Sequence, residues 1–152
     1  MTVRFQDCDP FNHLNNGRYV DYFLNAREDH LLTHYDLDLY RVARETGLSW
    51  VVSTNQLAYL RPAFLMERVR MESQLIAFGP KHVQVEMRMW DEAGITLKSF
   101  CWMEFVHYDL RANKVAAHSE TYMELFSRLN QPIGEGRFED RRKMFAEHVV
   151  TR

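Results

Sequence analysis

Asp7, Asp9, His13, Asn15 and Asn16 fall close together near the start of this chain, inside the run Arg4 to Glu28, RFQDCDPFNHLNNGRYVDYFLNARE. The run passes from an extended piece through a polar loop into a helix. A carboxylate just ahead of a helix start is chemically loaded. It can attack a carbonyl itself or activate a water that does so. The unpaired N–H groups of a first helical turn can hold the oxyanion that forms, with help from the helix dipole. In other hydrolases one such donor is worth about 2.7–4 kcal/mol.

Each residue also has a plainer role. Asp9 is spaced to close an Asx-turn or cap the helix, and spacing alone favours that role. His13 is equally well read as a loop histidine bonded to backbone. Asn15 or Asn16 is the expected N-cap, because asparagine accepts from the first free amides. Cys8, beside Asp9, reads as an inert side chain at a strand end. No G-x-S-x-G nucleophile motif is present. His82, His107 and His118 lack metal-ligand spacing, so no metal and no cofactor is expected.

The elements that must position these residues follow from periodicity. Thr2 to Cys8 alternates as a short strand, broken by Asp9-Pro10. A helix is predicted from about Gly17 to His34, with a broad apolar band through Tyr19, Phe23 and Ala26 and through Val20, Leu24 and Leu31. A shorter helix within Asp36 to Thr46 ends at Gly47. Then the period changes. Leu48 to Leu60, Glu67 to Phe78, His82 to Trp90 and Ile95 to Tyr108 read as strands joined by short turns, hence antiparallel. Val69, Met71, Leu75 and Ala77 are placed on one face of their strand. Apolar residues on both faces around Phe100 to Phe105 mark a central strand or one at a subunit interface. Ser119 to Leu129 reads as a short helix. Glu135 to Arg152 is charged, with Phe138, Phe145 and Val149 spaced for a weak amphipathic helix. The fold class is α+β: one long helix on the inner face of an antiparallel sheet of about five strands. The outer face stays partly apolar, so self-association is expected to cover it.

The 152 residues suit one domain, taken as 1–130 with a charged tail at 131–152. Hydrophobic content of 46% and a net charge of -2 are ordinary, with no global basic field to draw nucleic acid or a membrane surface. Two cysteines are too few for a disulfide framework, and no leader or long apolar run is seen. The expected compartment is the cytoplasm.

The run Asp7-Cys8-Asp9-Pro10, followed by Asn12-His13-Leu14-Asn15-Asn16 and Tyr19, resembles the 4-hydroxybenzoyl-CoA thioesterase-like branch of the hotdog-fold acyl-CoA thioesterases. Tyr59-Leu60-Arg61-Pro62-Ala63 matches a further segment common in that family. The resemblance covers roughly residues 1 to 128. It implies a hotdog fold, a long sheet wrapped around a central helix, with protomers joined as a homodimer or homotetramer and sites at the interface. It implies an acyl-CoA substrate, Asp9 as catalytic base or nucleophile, the amide near Asn16 as oxyanion donor and His13 as helper. Asn15, Tyr19, Tyr59 and Arg61 are the expected substrate-binding residues, Arg61 toward CoA phosphates. An acyl-ACP thioesterase, a non-catalytic acyl-CoA-binding protein and a pure interaction domain are the competing readings.

Overall fold

A computed structural model describes the backbone of residues 1–150 and the side chains of residues 1–147. Thr151, Arg152 and the Val149 side chain, all part of the expected tail, lie outside the described residues. Helix α1 (Tyr19–Tyr35) and helix α2 (Leu39–Thr46) precede the strands β1 (Leu48–Tyr59), β2 (Val69–Phe78), β3 (His82–Asp91), β4 (Leu97–Asp109) and β5 (Lys114–Val115). Helices α3 (Glu120–Leu129) and α4 (Phe138–Val150) follow. The sheet is antiparallel throughout in the order β1-β4-β3-β2, with β5 added to β4.

The α1 helix buries Tyr19, Tyr22, Phe23 and Ala26. Facing them across the inner side of the sheet are Val85, Met87 and Met89 of β3 and Cys101 and Met103 of β4. The β3 alternation is as its sequence predicts. In β2 a register shift between Leu75 and Ala77 breaks the pattern. Phe78, rather than Ala77, then joins the inner core, and Ile76 joins a second cluster on the outer face. A bulge has that effect because the side-chain period is two.

One expectation is corrected. Thr2 to Cys8 is not a strand: Thr2 makes one isolated bridge to Arg68, and Phe5–Asp7 is a 3-10 turn. Val3 goes into the core, but the alternation stops there and Phe5 is exposed. The fifth strand is the short β5 instead. The outer face of the sheet, in turn, is covered in part by the chain itself. Phe138 and Phe145 of α4 lie on Phe100 at centroid distances of 4.8 and 4.9 Å, and Phe138 meets Trp102 at 5.5 Å. The two-sided burial of β4 thus marks a central strand with a helix on each side. Glu86, fully buried on this face, accepts a fork from Arg141 at 2.7 and 2.8 Å and a bond from the Trp102 indole at 2.9 Å.

Between β1, β4 and α3 the core closes on a ring cluster. The Trp50 indole donates to His118 Nε2 at 3.0 Å, while His118 Nδ1 meets the Gly79 carbonyl at 2.9 Å. Burial holds the His118 imidazole below its ordinary range, and protonating Nε2 would remove the acceptor for Trp50. An unfolded histidine titrates near about 6.5. The unfolded state therefore binds more protons below that pH, and stability should fall as pH drops from about 6.5 through the lower folded value. Urea midpoints measured at neutral and mildly acidic pH should show this loss, with a shallower slope in His118→Gln.

Candidate active site

The polar loop closes as a small hairpin. Cys8 and Leu14 form an antiparallel bridge, the Asp9 N–H donates to the His13 carbonyl at 2.8 Å, and the Asn15 N–H donates to the Asp7 carbonyl at 2.8 Å. Asn12, at φ 61, supplies the left-handed turn, which asparagine tolerates better than most residues. The loop is docked on the segment after β1: Leu14 N–H bonds Ala63, Leu65 N–H bonds Asn12, and His13 bridges Phe64.

Capping and the Asp9 carboxylate are separate here. Asp9 Oδ1 accepts from the N–H groups of Phe11 and His13 at 2.9 and 3.1 Å, closing its own loop. Oδ2 has no hydrogen-bond partner among the described residues, and the side chain is half-buried. Asn15 is the cap, its Oδ1 accepting from Gly17 N–H at 2.9 Å. A 3-10 turn, Asn16–Arg18, leads into α1, so the α-helix proper starts two residues later than its sequence suggests. The Asn16 N–H finds no acceptor among the described residues. Asn15→Ala should cost about 1 kcal/mol of stability, a usual cap value, readable as a lowered urea midpoint.

The tyrosines fix this helix start. The Tyr59 hydroxyl donates to the Asn16 carbonyl at 2.9 Å, and its ring stands edge-on to Tyr19 at 5.1 Å. Tyr19 is buried, and its hydroxyl accepts from Ala63 N–H at 3.3 Å. Burial raises both phenols, so neither is poised to ionise. His13 is half-buried with its ring edge-on to Phe64 at 5.1 Å. Arg61 is exposed. Of the other basic residues in and beside the strands, Arg68, Arg70 and Arg88 are paired to Glu92, Glu72 and Glu86. Asp7 is structural: Tyr22 donates to it at 2.9 Å, and Arg18 lies at 3.8 Å. The Cys8 thiol is pushed up by burial and then by Asp7 and Asp9, which argues against a thiolate nucleophile.

The structure adds two residues to this loop pair. Lys98 pairs with Glu67 at 2.7 Å and donates to the Pro62 carbonyl at 3.1 Å, and Glu67 accepts from Phe64 N–H at 2.8 Å. Together they brace the segment on which the polar hairpin rests. The available signal was Lys98 itself, a cation inside an otherwise apolar strand, since lysine is rarely buried without a partner. Phe5 and Phe11, at 79% and 76% exposure, leave a large apolar rim beside the loop, continued by Phe64 and Met66.

A family model described as the thioesterase-like superfamily matches residues 3–126. The long-chain acyl-CoA thioesterase FadM of Escherichia coli (strain K12) is 26% identical over 117 residues, spanning 77% of this chain and 86% of that protein. The probable thioesterase YbaW from Escherichia coli superposes with a TM-score of 0.72 at 24% identity, covering 86% of this chain and 96% of that one. The DHNA-CoA thioesterase from Staphylococcus aureus superposes at 0.77 with 16% identity, covering 84% of this chain and 86% of that one. SAV2348 from Staphylococcus aureus, solved in complex with CoA, superposes at 0.78 with 17% identity, covering 91% and 87%.

Proposed function

The chain belongs to the thioesterase-like superfamily, and from that premise we propose how its own residues hydrolyse an acyl-CoA thioester. The fold is the hotdog fold, and at the level of the family the chain is a thioester hydrolase. Asp9 is the proposed base or nucleophile. Its Oδ1 is tied down by two loop amides, which orients the carboxylate and leaves Oδ2 for the reaction. The unpaired Asn16 N–H at the helix start is the proposed oxyanion donor, positioned by the Asn15 cap and by Tyr59. In the base route a water loses its proton to Asp9 as its oxygen bonds the thioester carbon. The carbon–sulfur bond then breaks, and the CoA thiolate takes up the proton that Asp9 accepted, which restores the carboxylate. His13 is proposed to orient the substrate carbonyl, Tyr19 and Asn15 to shape the site, and Arg61 to meet CoA phosphate. The observation that carries this reading is one hairpin holding a half-tied carboxylate seven residues before an unpaired helix amide.

The unit is proposed to be residues 1–130, with 131–152 as a charged tail, and its place of work the cytoplasm. A second copy is proposed to complete each site. The edge strand β1 is exposed from Val51 to Gln56, and the apolar rim of Phe5 and Phe11 lies open in the single chain. Sedimentation should give a dimer or larger at assay concentrations; a monomer with full activity would overturn the shared site. Thiol release from aryl-, short- and long-chain acyl-CoAs tests the function itself. Turnover is the expected result. Hydrolysis of acyl-ACP alone would change the carrier, and binding of acyl-CoA without turnover would leave a binding protein.

A further inference from the structure

Two adjoining cavities lie along the C-terminal half of α1. The first, of about 230 Å³, is apolar, walled by Leu24, Trp50, Val52, Val85 and Phe105. The second, of about 140 Å³, has a mixed wall, its polar side chains being Arg27, Ser73, Gln74, Arg128 and Gln131. Arg27, Leu31, Leu37 and Phe126 line both. Among the described residues no carboxylate lines the second cavity, and neither Arg27 nor Arg128 forms an ion pair there. A half-buried cation without a counter-ion is costly, and it favours an anion that arrives with a ligand.

Among the described residues the Arg27 guanidinium makes one hydrogen bond, Nη1 donating to Ser73 Oγ at 3.3 Å. Ser73 Oγ also meets His30 Nδ1 at 2.9 Å, and Arg27 contributes to holding the His30 imidazole below its ordinary range, after burial. Burial pulls the Arg27 guanidinium down to about 10, which still leaves it cationic at neutral pH. Glu28 lines the apolar cavity, but its two oxygens face the Tyr40 hydroxyl at 3.1 and 3.0 Å. Arg27 lies eleven residues along from Asn16, or about 16 Å at 1.5 Å per residue. An extended chain of about a dozen carbons covers that span.

We propose that the apolar cavity takes the body of the acyl chain and that Arg27 receives its far end, selecting chains that end in a carboxylate. The proposal rests on the thioesterase reading and names its substrate class, an ω-carboxy acyl thioester of medium length. The plain alternative is an arginine whose stem fills space and whose head bonds Ser73 for the sake of the fold.

The test compares acyl-CoAs of matched length ending in methyl or in carboxylate. Wild type should favour the carboxylate end by about tenfold or more in kcat/KM, as a charge-assisted contact implies. Arg27→Met should erase or invert that ratio, and Arg27→Lys should keep its sign. A wild type indifferent to the chain end, or the same preference in Arg27→Met, overturns the proposal. Non-hydrolysable S-alkyl-CoA thioethers with the same two ends, titrated calorimetrically, read the subsite without turnover. If wild type hydrolyses no thioester, the reaction assignment fails. The subsite then stands only if the carboxylate-ended thioether binds more tightly and Arg27→Met abolishes the difference.

Discussion

Arg141→Ala is expected to cost about 3 kcal/mol of stability, at the lower end of the range for a broken buried pair. Glu86 is fully buried, and Arg141 supplies two of the donors that hold its carboxylate, at 2.7 and 2.8 Å. The Trp102 indole and Arg88 Nη1 remain at 2.9 and 3.1 Å, so the charge is not wholly orphaned. The variant also loses the guanidinium over the Phe145 ring, 4.5 Å from its centroid, and with it part of the docking of α4. For a chain of this size, about 3 kcal/mol lowers Tm by roughly 6–12 °C. The double variant Glu86→Gln, Arg141→Met should recover much of the loss, because it removes the buried charge along with its partner. A urea midpoint unmoved by Arg141→Ala would mean that α4 does not rest on the sheet.

Asp9→Asn is expected to lower turnover by about 100- to 10,000-fold, the range for loss of a positioned base. The fold should hold. An asparagine Oδ1 can accept the same Phe11 and His13 N–H bonds that Asp9 Oδ1 accepts now. The amide nitrogen cannot take a proton from water or attack a carbonyl. Asp9→Ala separates the two roles: it loses activity as well, but it also loses the loop acceptor, at about 1–2 kcal/mol of stability. A catalytic Asp9 therefore shows its largest effect in kcat for Asn and a further stability loss only for Ala. A merely structural Asp9 would show the reverse ordering, with Asn close to wild type.

What the sequence discloses and what it hides can be told apart physically. The polar hairpin is local. Asp9-Pro10 breaks the chain, Asn12 adopts φ 61 and Asn15 caps the helix through Gly17, each within a few residues of the next. Short-range chemistry of that kind is written in residue type and spacing. The strands β3 and β4 are legible because Val83, Val85, Met87 and Met89 keep strict alternation and because β4 is apolar on both faces. The helix α4 is a different matter. Phe138 and Phe145 make a thin apolar stripe, and what seats it is Arg141 on Glu86, fifty-five residues away in sequence. Glu86 itself looks like an ordinary solvent-facing residue of an alternating strand. The Glu67–Lys98 brace is hidden in the same way, by sequence distance. Thr2 to Cys8 misleads for the opposite reason. Val3 and Phe5 alternate like a strand, yet only Val3 has a core to enter, and the chain turns at Phe5.

Thiol release by wild type and Asp9→Asn, measured side by side on the same acyl-CoA panel with folding checked by circular dichroism, shows whether the Asp9 carboxylate drives hydrolysis. Steady turnover by wild type on at least one ester and a drop of about 100-fold or more in a folded Asp9→Asn protein are expected. Equal turnover by the two proteins would contradict a catalytic Asp9, since the reaction would then run without the carboxylate that the polar hairpin holds in place.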